Sequence, residues 1–206
     1  MKLERFVLGH IGTNCYLLEN EERKEVVIVD PATCPDEIIG HVKRKGLTPK
    51  AILLTHGHYD HVMGIDRWVA EFGIPVYLHE EEKEVLELPK YNLSRVFGYD
   101  YSYKNVEGLN DGQEIELAGI TIRVIHTPGH TKGGCCYYIA DAGILLSGDT
   151  LFAQSVGRND FPTGSMSMLV RSIKEKLFLL PDDTVVYPGH GEETSIGEEK
   201  QKNPFV

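Results

Sequence analysis

Four short segments of this 206-residue chain carry imidazole or carboxylate groups beside a Gly or Pro turn. They are Thr55-His56-Gly57-His58-Tyr59-Asp60-His61, His126-Thr127-Pro128-Gly129-His130-Thr131, Gly148-Asp149-Thr150 and Pro188-Gly189-His190. These nitrogen and oxygen donors suit divalent metal ions. In extended backbone, side-chain direction repeats every two residues, so His56 and His58 face the same way and can share one ion. Once the chain turns into a helix, Asp60 and His61 point elsewhere, toward a second ion about 3.5–4 Å away, the usual spacing of two-metal sites. His130, projected by a Thr-Pro-Gly turn, joins the first pair, and His190 completes the second set. Asp149 has two oxygens and can bridge both ions. The expected ligands are therefore His56, His58, His130 and Asp149 for one ion, and Asp60, His61, His190 and Asp149 for the other. Both sets keep the open position that separates catalytic from structural sites.

The remaining histidines lack that context. His10, His41 and His79 read as exposed or capping residues, and His126, at a strand end, as a packing group beside the site. Asp30 ends an apolar strand before Pro31, where its carboxylate is expected to hold the His-bearing loop by hydrogen bonds.

The elements that must position these groups follow from the apolar pattern. Strands are expected at 5–8, 14–18 and 25–29, the last a β-branched run suited to a sheet buried on both faces. A helix over 35–45 is marked by Pro35 in its first turn, the basic residues Lys43, Arg44 and Lys45 in its last, and Gly46 after it. A strand at 51–54 runs into the His-rich loop, followed by a helix over 60–72 ended by Gly73 and a strand at 76–78. Residues 80–105 show little periodicity and read either as a tyrosine-packed surface insertion or as a loop lining a substrate site. The second half repeats the order, with strands at 114–117, 121–125, 135–139 and 144–147, a helix over 165–179 and a strand at 184–187.

Length and composition fit one domain over residues 1–206. No apolar run approaches the ~20 residues needed to span a bilayer, and the charged start Met1-Lys2-Leu3-Glu4-Arg5-Phe6 does not read as a signal peptide, so a cytoplasmic protein without a membrane partner is expected. The formal net charge of −10 disfavours nucleic acid. Cys15, Cys34, Cys135 and Cys136 include an adjacent pair that makes a poor disulfide and are expected to be reduced and buried. No stretch marks an oligomer interface.

With these segments assembled, the chain resembles the metallo-β-lactamase fold superfamily over nearly its whole length, from Asn14-Cys15-Tyr16 to Gly197-Glu198-Glu199. Gly148-Asp149-Thr150-Leu151-Phe152, the stretch from Val156 to Pro162 and Tyr187-Pro188-Gly189-His190-Gly191 resemble its small, single-domain glyoxalase II-like branch, the hydroxyacylglutathione hydrolases, which cleave thioesters. The resemblance implies an α/β fold, a four-layer αββα sandwich of two mixed sheets with helices outside. It also implies a binuclear centre and places Arg158 where the family has a basic residue near glutathione. There are departures. Full-length glyoxalase II adds a C-terminal helical domain whose basic residues hold glutathione, which has no counterpart before Val206, and Asp160 and Glu192 stand where the larger enzymes have tyrosines. The metal chemistry carries over; glutathione as the thiol does not.

The expected activity is hydrolysis of a cytosolic thioester such as S-D-lactoylglutathione or a related low-molecular-weight thiol conjugate. Two divalent ions, Zn²⁺ first with Fe²⁺ or Mn²⁺ also compatible with these donors, would lower the pKa of a water toward ~7. Asp60 would hold the second ion and accept a hydrogen bond from the attacking hydroxide, and Arg158 would contact substrate. Two other readings compete. One is persulfide dioxygenation at a single iron, in related sequences that share a Gly-Arg-x-Asp-Phe segment like that from Gly157 to Phe161. The other is a binding scaffold in which metal only holds loops together.

Overall fold

Burial alternates along the central strands and sorts their side chains into separate apolar layers. In Glu25–Val29, Val26 and Ile28 pack on one side, with Ile38, Val42 and Trp68, whereas Val27 and Val29 pack on the other, with Val124, Tyr137 and Leu146. In Cys135–Ile139, Cys135, Tyr137 and Ile139 share that middle layer, while Cys136 and Tyr138 join Leu169, Ile173 and Ile196 in a third. Three apolar layers require four layers of elements, and the computed structural model, which describes residues 1–33 and 36–206, has them in the order α, β, β, α.

Among the described residues each main sheet has six strands. The first contains β1 (Lys2–Leu8), β2 (Thr13–Asn20), β3 (Glu25–Val29), β4 (Thr48–Leu53), β5 (Val76–His79) and β6 (Glu107–Leu109), side by side in chain order. Antiparallel pairing from β1 to β3 gives way to parallel pairing from β3 to β6, so the sheet is mixed. The second starts with β7 (Glu114–Leu117), β8 (Ile120–His126), β9 (Cys135–Ile139) and β10 (Ile144–Gly148). A small hairpin of β11 (Leu151–Phe152) and β12 (Ser155–Val156) intervenes before β13 (Val185–Pro188) and β14 (Thr194–Ser195), and the sheet order is β14-β13-β10-β9-β8-β7. Helices α1 (Asp36–Arg44), α2 (Tyr59–Val62), α3 (Ile65–Phe72), α4 (Lys83–Glu87), α5 (Met166–Glu175) and α6 (Ile196–Lys202) complete the fold. No helix among the described residues is long and apolar enough to cross a membrane.

Most expected elements are present, with informative differences. The helix expected over 60–72 is two helices, α2 and α3, separated at Met63 and Gly64, with Gly64 at the N-terminal cap of the second. That break lets Asp60 and His61 face the site while α3 buries Trp68 against the first sheet. The helix expected over 165–179 ends as α5 at Glu175 and continues as a 3-10 turn, Leu177–Leu179; Ser165 caps its start by accepting from the Met168 N–H. Residues 80–105 are not wholly irregular, for they contain the 3-10 turn Glu80–Glu82, α4 and a second 3-10 turn, Ser94–Phe97. Cys15, Cys135 and Cys136 are buried as expected; Cys34 and Pro35 lie outside the described residues.

His79 is a capping residue, one of its two expected roles, rather than an exposed one. It is buried, stacks on His126 with ring centroids 4.0 Å apart, and accepts from the Glu81 N–H, capping the 3-10 turn. Burial, aided by His126, pulls its pKa down to about 4. An unfolded histidine protonates near 6.5, so this contribution to stability is complete above pH ~6.5 and is lost as pH falls to about 4. His79→Asn, which keeps an acceptor at the cap, should remove on the order of 2–3 kcal/mol of acid-induced destabilisation across that window. Urea unfolding of both proteins with chelator present, at pH 7.5 and 4.5, measures it.

Candidate metal centre

The strand ends bring the four His- and Asp-bearing segments to one rim. β3 and β4 run parallel with Val29 opposite Leu53, which places Asp30 beside Thr55. β10 and β13 run parallel with Gly148 opposite Pro188, which sets Asp149 beside Gly189 and His190. His130 lies in the loop joining the antiparallel pair β8 and β9, whose last residue pair is His126 with Cys135. The Cys135 N–H donates to the Thr55 carbonyl (2.9 Å), tying that loop to the His-rich one.

All the expected ligands converge there. His56, His58 and His130 form one group and Asp60, His61 and His190 another, each with its donor atoms within 4.8 Å of one another. Asp149 stands between the groups: its Oδ1 lies 3.5 Å from His61 Nε2, and its Oδ2 lies 3.6 Å from the Nε2 atoms of both His130 and His190. Gly189 makes this approach possible, since a Cβ there would sit 2.2 Å from Asp149 Oδ1. A Cβ on Gly157 would likewise strike the Asp149 carbonyl oxygen at 1.8 Å.

Three of the imidazoles are aimed by the nitrogen they turn away from the centre. His130 Nδ1–H donates to the Arg158 carbonyl (2.6 Å), and His61 Nδ1–H to Asp30 Oδ2 (2.9 Å). His56 Nδ1–H donates to Thr55 Oγ1 (3.1 Å), whose hydroxyl donates to Asp30 Oδ2 (2.6 Å). These tautomers leave the Nε2 lone pairs of His56, His61 and His130 pointing inward. Asp30, His56 and His61 also crowd together, but the oxygens of Asp30 already accept from Thr55 N–H, Thr55 Oγ1–H and His61 Nδ1–H, so Asp30 orients ligands rather than serving as one. It does so from a left-handed backbone, φ +50°, the sort of strain that surrounding contacts must hold in place.

The donor set fits two divalent cations. Buried His56 Nε2 and Asp149 Oδ1 have no hydrogen-bond partner in the protein, and His58 Nδ1 approaches His130 Nε2 to 2.9 Å. Two imidazole acceptors at that distance need a shared proton or a cation between them. Burial holds the pKa values of His56 and His58 well below the ordinary histidine range, the neutral form that binds metal. Around His61 the balance reverses: burial opposes the charged ring, but Asp60, Asp149 and Asp30 outweigh it and raise the pKa to about 10. Asp60, despite its burial, is held well below the carboxylate range by His61, His190 and the Thr13 hydroxyl, which donates to Oδ2 at 2.8 Å. This concentration of negative charge is what a divalent ion would neutralise.

Several positioning groups escaped the sequence reading. The Asn14 amide donates to the carbonyls of Pro188 and Gly191, the Tyr16 hydroxyl donates to the Pro188 carbonyl at 2.6 Å, and Arg5 donates to the Gly191 carbonyl, so the start of β2, with Arg5 of β1, clamps the turn that carries His190. Glu82 lies fully buried at the end of an acidic run that reads as surface. Its carboxylate accepts from the Gly57 N–H (2.9 Å) and the Gly133 N–H (2.8 Å), joining the two loops that supply His56, His58 and His130. Burial raises its pKa to about 7 against the pull of those donors. Glu82→Ala would leave two buried N–H groups without acceptors, at about 1–3 kcal/mol each. It should also weaken metal binding about 10–100-fold, as loss of groups behind a ligand does. Thermal unfolding and chelator competition provide the readouts.

Arg158 lies at the rim rather than inside. Its guanidinium pairs with Asp160 (2.8 Å) and sits 4.2 Å over the Phe161 ring, which in turn meets His58 edge-on at 5.7 Å. Its carbonyl, not its charge, reaches a candidate ligand. His126 stacks on His79 and donates to or accepts nothing within the cluster, in keeping with a packing role. Between the ligands and solvent, Tyr59 stacks on Phe97 (4.3 Å), so the segment after residue 80 contributes to the site's approach.

Comparison with known proteins agrees with this geometry. The family model for the metallo-beta-lactamase superfamily matches residues 8–190. The hydroxyacylglutathione hydrolase GloC of Haemophilus influenzae is 32% identical, over 100% of this chain and 98% of that relative. The crystal structure of the BLEG-1 B3 metallo-beta-lactamase superposes with a TM-score of 0.92 at 42% identity, covering 99% of each chain. TTHA1623, solved in a di-iron-bound form, gives a TM-score of 0.87 at 36% identity, covering 98% of this chain and 100% of its own.

Proposed function

Because the chain belongs to the metallo-beta-lactamase superfamily, we propose that it is a binuclear metal-dependent hydrolase of a low-molecular-weight thioester in the cytoplasm. S-D-lactoylglutathione serves as the model substrate. The observation that carries the reading is the pair of complete ligand groups with Asp149 between them. Two bound divalent ions, Zn²⁺ in the first instance and iron as in the di-iron TTHA1623, would supply Lewis acidity and a water of lowered pKa.

The chain's own groups define the remaining steps. His56, His58 and His130 offer neutral nitrogens, and the Asp30–His61 and Arg158–His130 contacts fix where the Nε2 atoms point. Asp60, kept ionised and steadied by Thr13, accepts a hydrogen bond from the attacking water. The water oxygen bonds to the carbonyl carbon, the C–S bond breaks, and the sulfur departs with the bonding electrons. A thiol of pKa ~8.5 leaves as thiolate without a dedicated acid, and the water's proton passes to solvent. GloC's name as a hydroxyacylglutathione hydrolase supports thioesters as the class. The assembled group of Asp60, His61 and His190 supports hydrolysis over chemistry at one iron.

Release of free thiol from thioesters, measured beside β-lactam hydrolysis, tests the proposal. Thioester turnover well above β-lactam turnover is expected. β-Lactam hydrolysis with no thiol release would replace it with the activity that BLEG-1 bears in its name.

A further inference from the structure

Asp60 stands in the wall of a cavity of about 460 Å³ whose other principal surfaces are Ile11, Tyr59, Met63, Phe97 and Tyr99. That size falls within the roughly 300–1,000 Å³ of small-molecule sites. Its mouth is unusually apolar for exposed surface: Ile11 is 48% exposed, Phe97 49% and Tyr99 53%. The rest of the lining is Gly9, His10, Thr13 and Thr33, so among the described residues no Lys or Arg faces the cavity. Arg158, the basic residue expected from the sequence to contact substrate, is engaged by Asp160 and Phe161. Glutathione carries two carboxylates, and moving a carboxylate out of water without a partner is costly. The lining offers such a carboxylate no Lys or Arg partner, and Asp60 and the net charge of −10 oppose it.

We propose that this cavity takes an uncharged apolar or aromatic arm of the substrate, with Ile11 and the Phe97–Tyr99 segment setting specificity, so that thioesters bearing such an arm are preferred to glutathione conjugates. The inference rests on the thioester reading above and narrows it. An alkyl chain laid between Ile11 and the Tyr59–Phe97 stack covers apolar surface that is otherwise in water, and each added methylene strengthens binding until the cavity is filled.

Binding of non-hydrolysable S-alkyl thioethers of N-acetylcysteamine, from methyl to octyl, to the zinc-loaded protein by calorimetry tests this without chemistry. The expected result is a roughly two- to fourfold gain in affinity per methylene. S-methylglutathione should bind more weakly than the octyl compound. Phe97→Ser and Tyr99→Ser should flatten the series, lowering affinity for the octyl compound far more than for the methyl compound. A flat series in the native protein, or tighter binding of S-methylglutathione, overturns the proposal. So does a slope that survives both substitutions while sedimentation shows that they dissociate an oligomer, for then the apolar rim is a contact between copies. Comparing hydrolysis of the octanoyl thioester of N-acetylcysteamine with that of the acetyl thioester of octanethiol assigns the arm to the acyl or the thiol side. A steep binding series with neither compound hydrolysed keeps the cavity assignment and defeats only the thioesterase reading.

Discussion

Asp149→Ala is expected to lower thioester turnover by about a thousandfold and to reduce bound metal from two ions per chain to one or fewer. Asp149 turns its oxygens toward the inward-facing Nε2 atoms of histidines in both groups, at 3.5 Å from His61 and 3.6 Å from His130 and His190. Its removal takes away the carboxylate that stands between the two groups. Metal-assisted polarisation is worth several kcal/mol, and each 1.36 kcal/mol is tenfold in rate, so loss of about 4 kcal/mol gives about a thousandfold. Elemental analysis and steady-state kinetics on the same preparation read both effects. Retention of two ions with near-native turnover would show that Asp149 bridges nothing.

Asp30→Ala should be the most destabilising single change near the site, although Asp30 touches no substrate. Three buried donors, Thr55 N–H, Thr55 Oγ1–H and His61 Nδ1–H, would lose their acceptor. At about 1–3 kcal/mol for each orphaned group, with about 1 kcal/mol more for alanine at positive φ, the loss is on the order of 4–10 kcal/mol. That is a large share of the roughly 5–15 kcal/mol that holds a domain folded. Asp30→Asn separates stability from chemistry. Asparagine tolerates the left-handed backbone and keeps one acceptor oxygen, so folding should suffer less, by about 2 kcal/mol, while a neutral partner for His61 should still weaken the second ion about 10–100-fold. Urea unfolding of the metal-free proteins and chelator competition of the loaded ones distinguish the two effects.

The candidate ligands could be read in the sequence because their signal is local. His56 and His58 alternate in extended backbone, Asp60 and His61 follow at the helix start, Asp149 and His190 sit one or two residues after a strand, and His130 follows a Thr-Pro-Gly turn four residues beyond β8. The layered fold was legible for the same reason, since Val26 to Val29 and Cys135 to Ile139 are apolar on both faces and must be covered twice. Asp30 could be placed because a carboxylate after a buried strand needs donors, and it has three. Glu82 could not. Nothing in Glu80-Glu81-Glu82 distinguishes the one carboxylate that folding buries against Gly57 and Gly133, since that choice depends on two loops distant in sequence. Thr13, Asn14 and Tyr16 act on a turn about 175 residues later, a relation no window of sequence contains. The break between α2 and α3 was hidden because Gly64 inside an apolar period is compatible with a continuous helix, and only the need to aim Asp60 and His61 toward His190 reveals it.

The central claim is that both ligand groups act together in cleaving a thioester. Adding Zn²⁺ stepwise to metal-free protein, with thiol release from a neutral acyl thioester measured at each step, tests it most directly. The account predicts little turnover through the first equivalent, a rise to the maximum at the second, and no second-equivalent rise in His61→Ala. Full turnover at one equivalent, or two equivalents bound with no thioester cleaved, would contradict it.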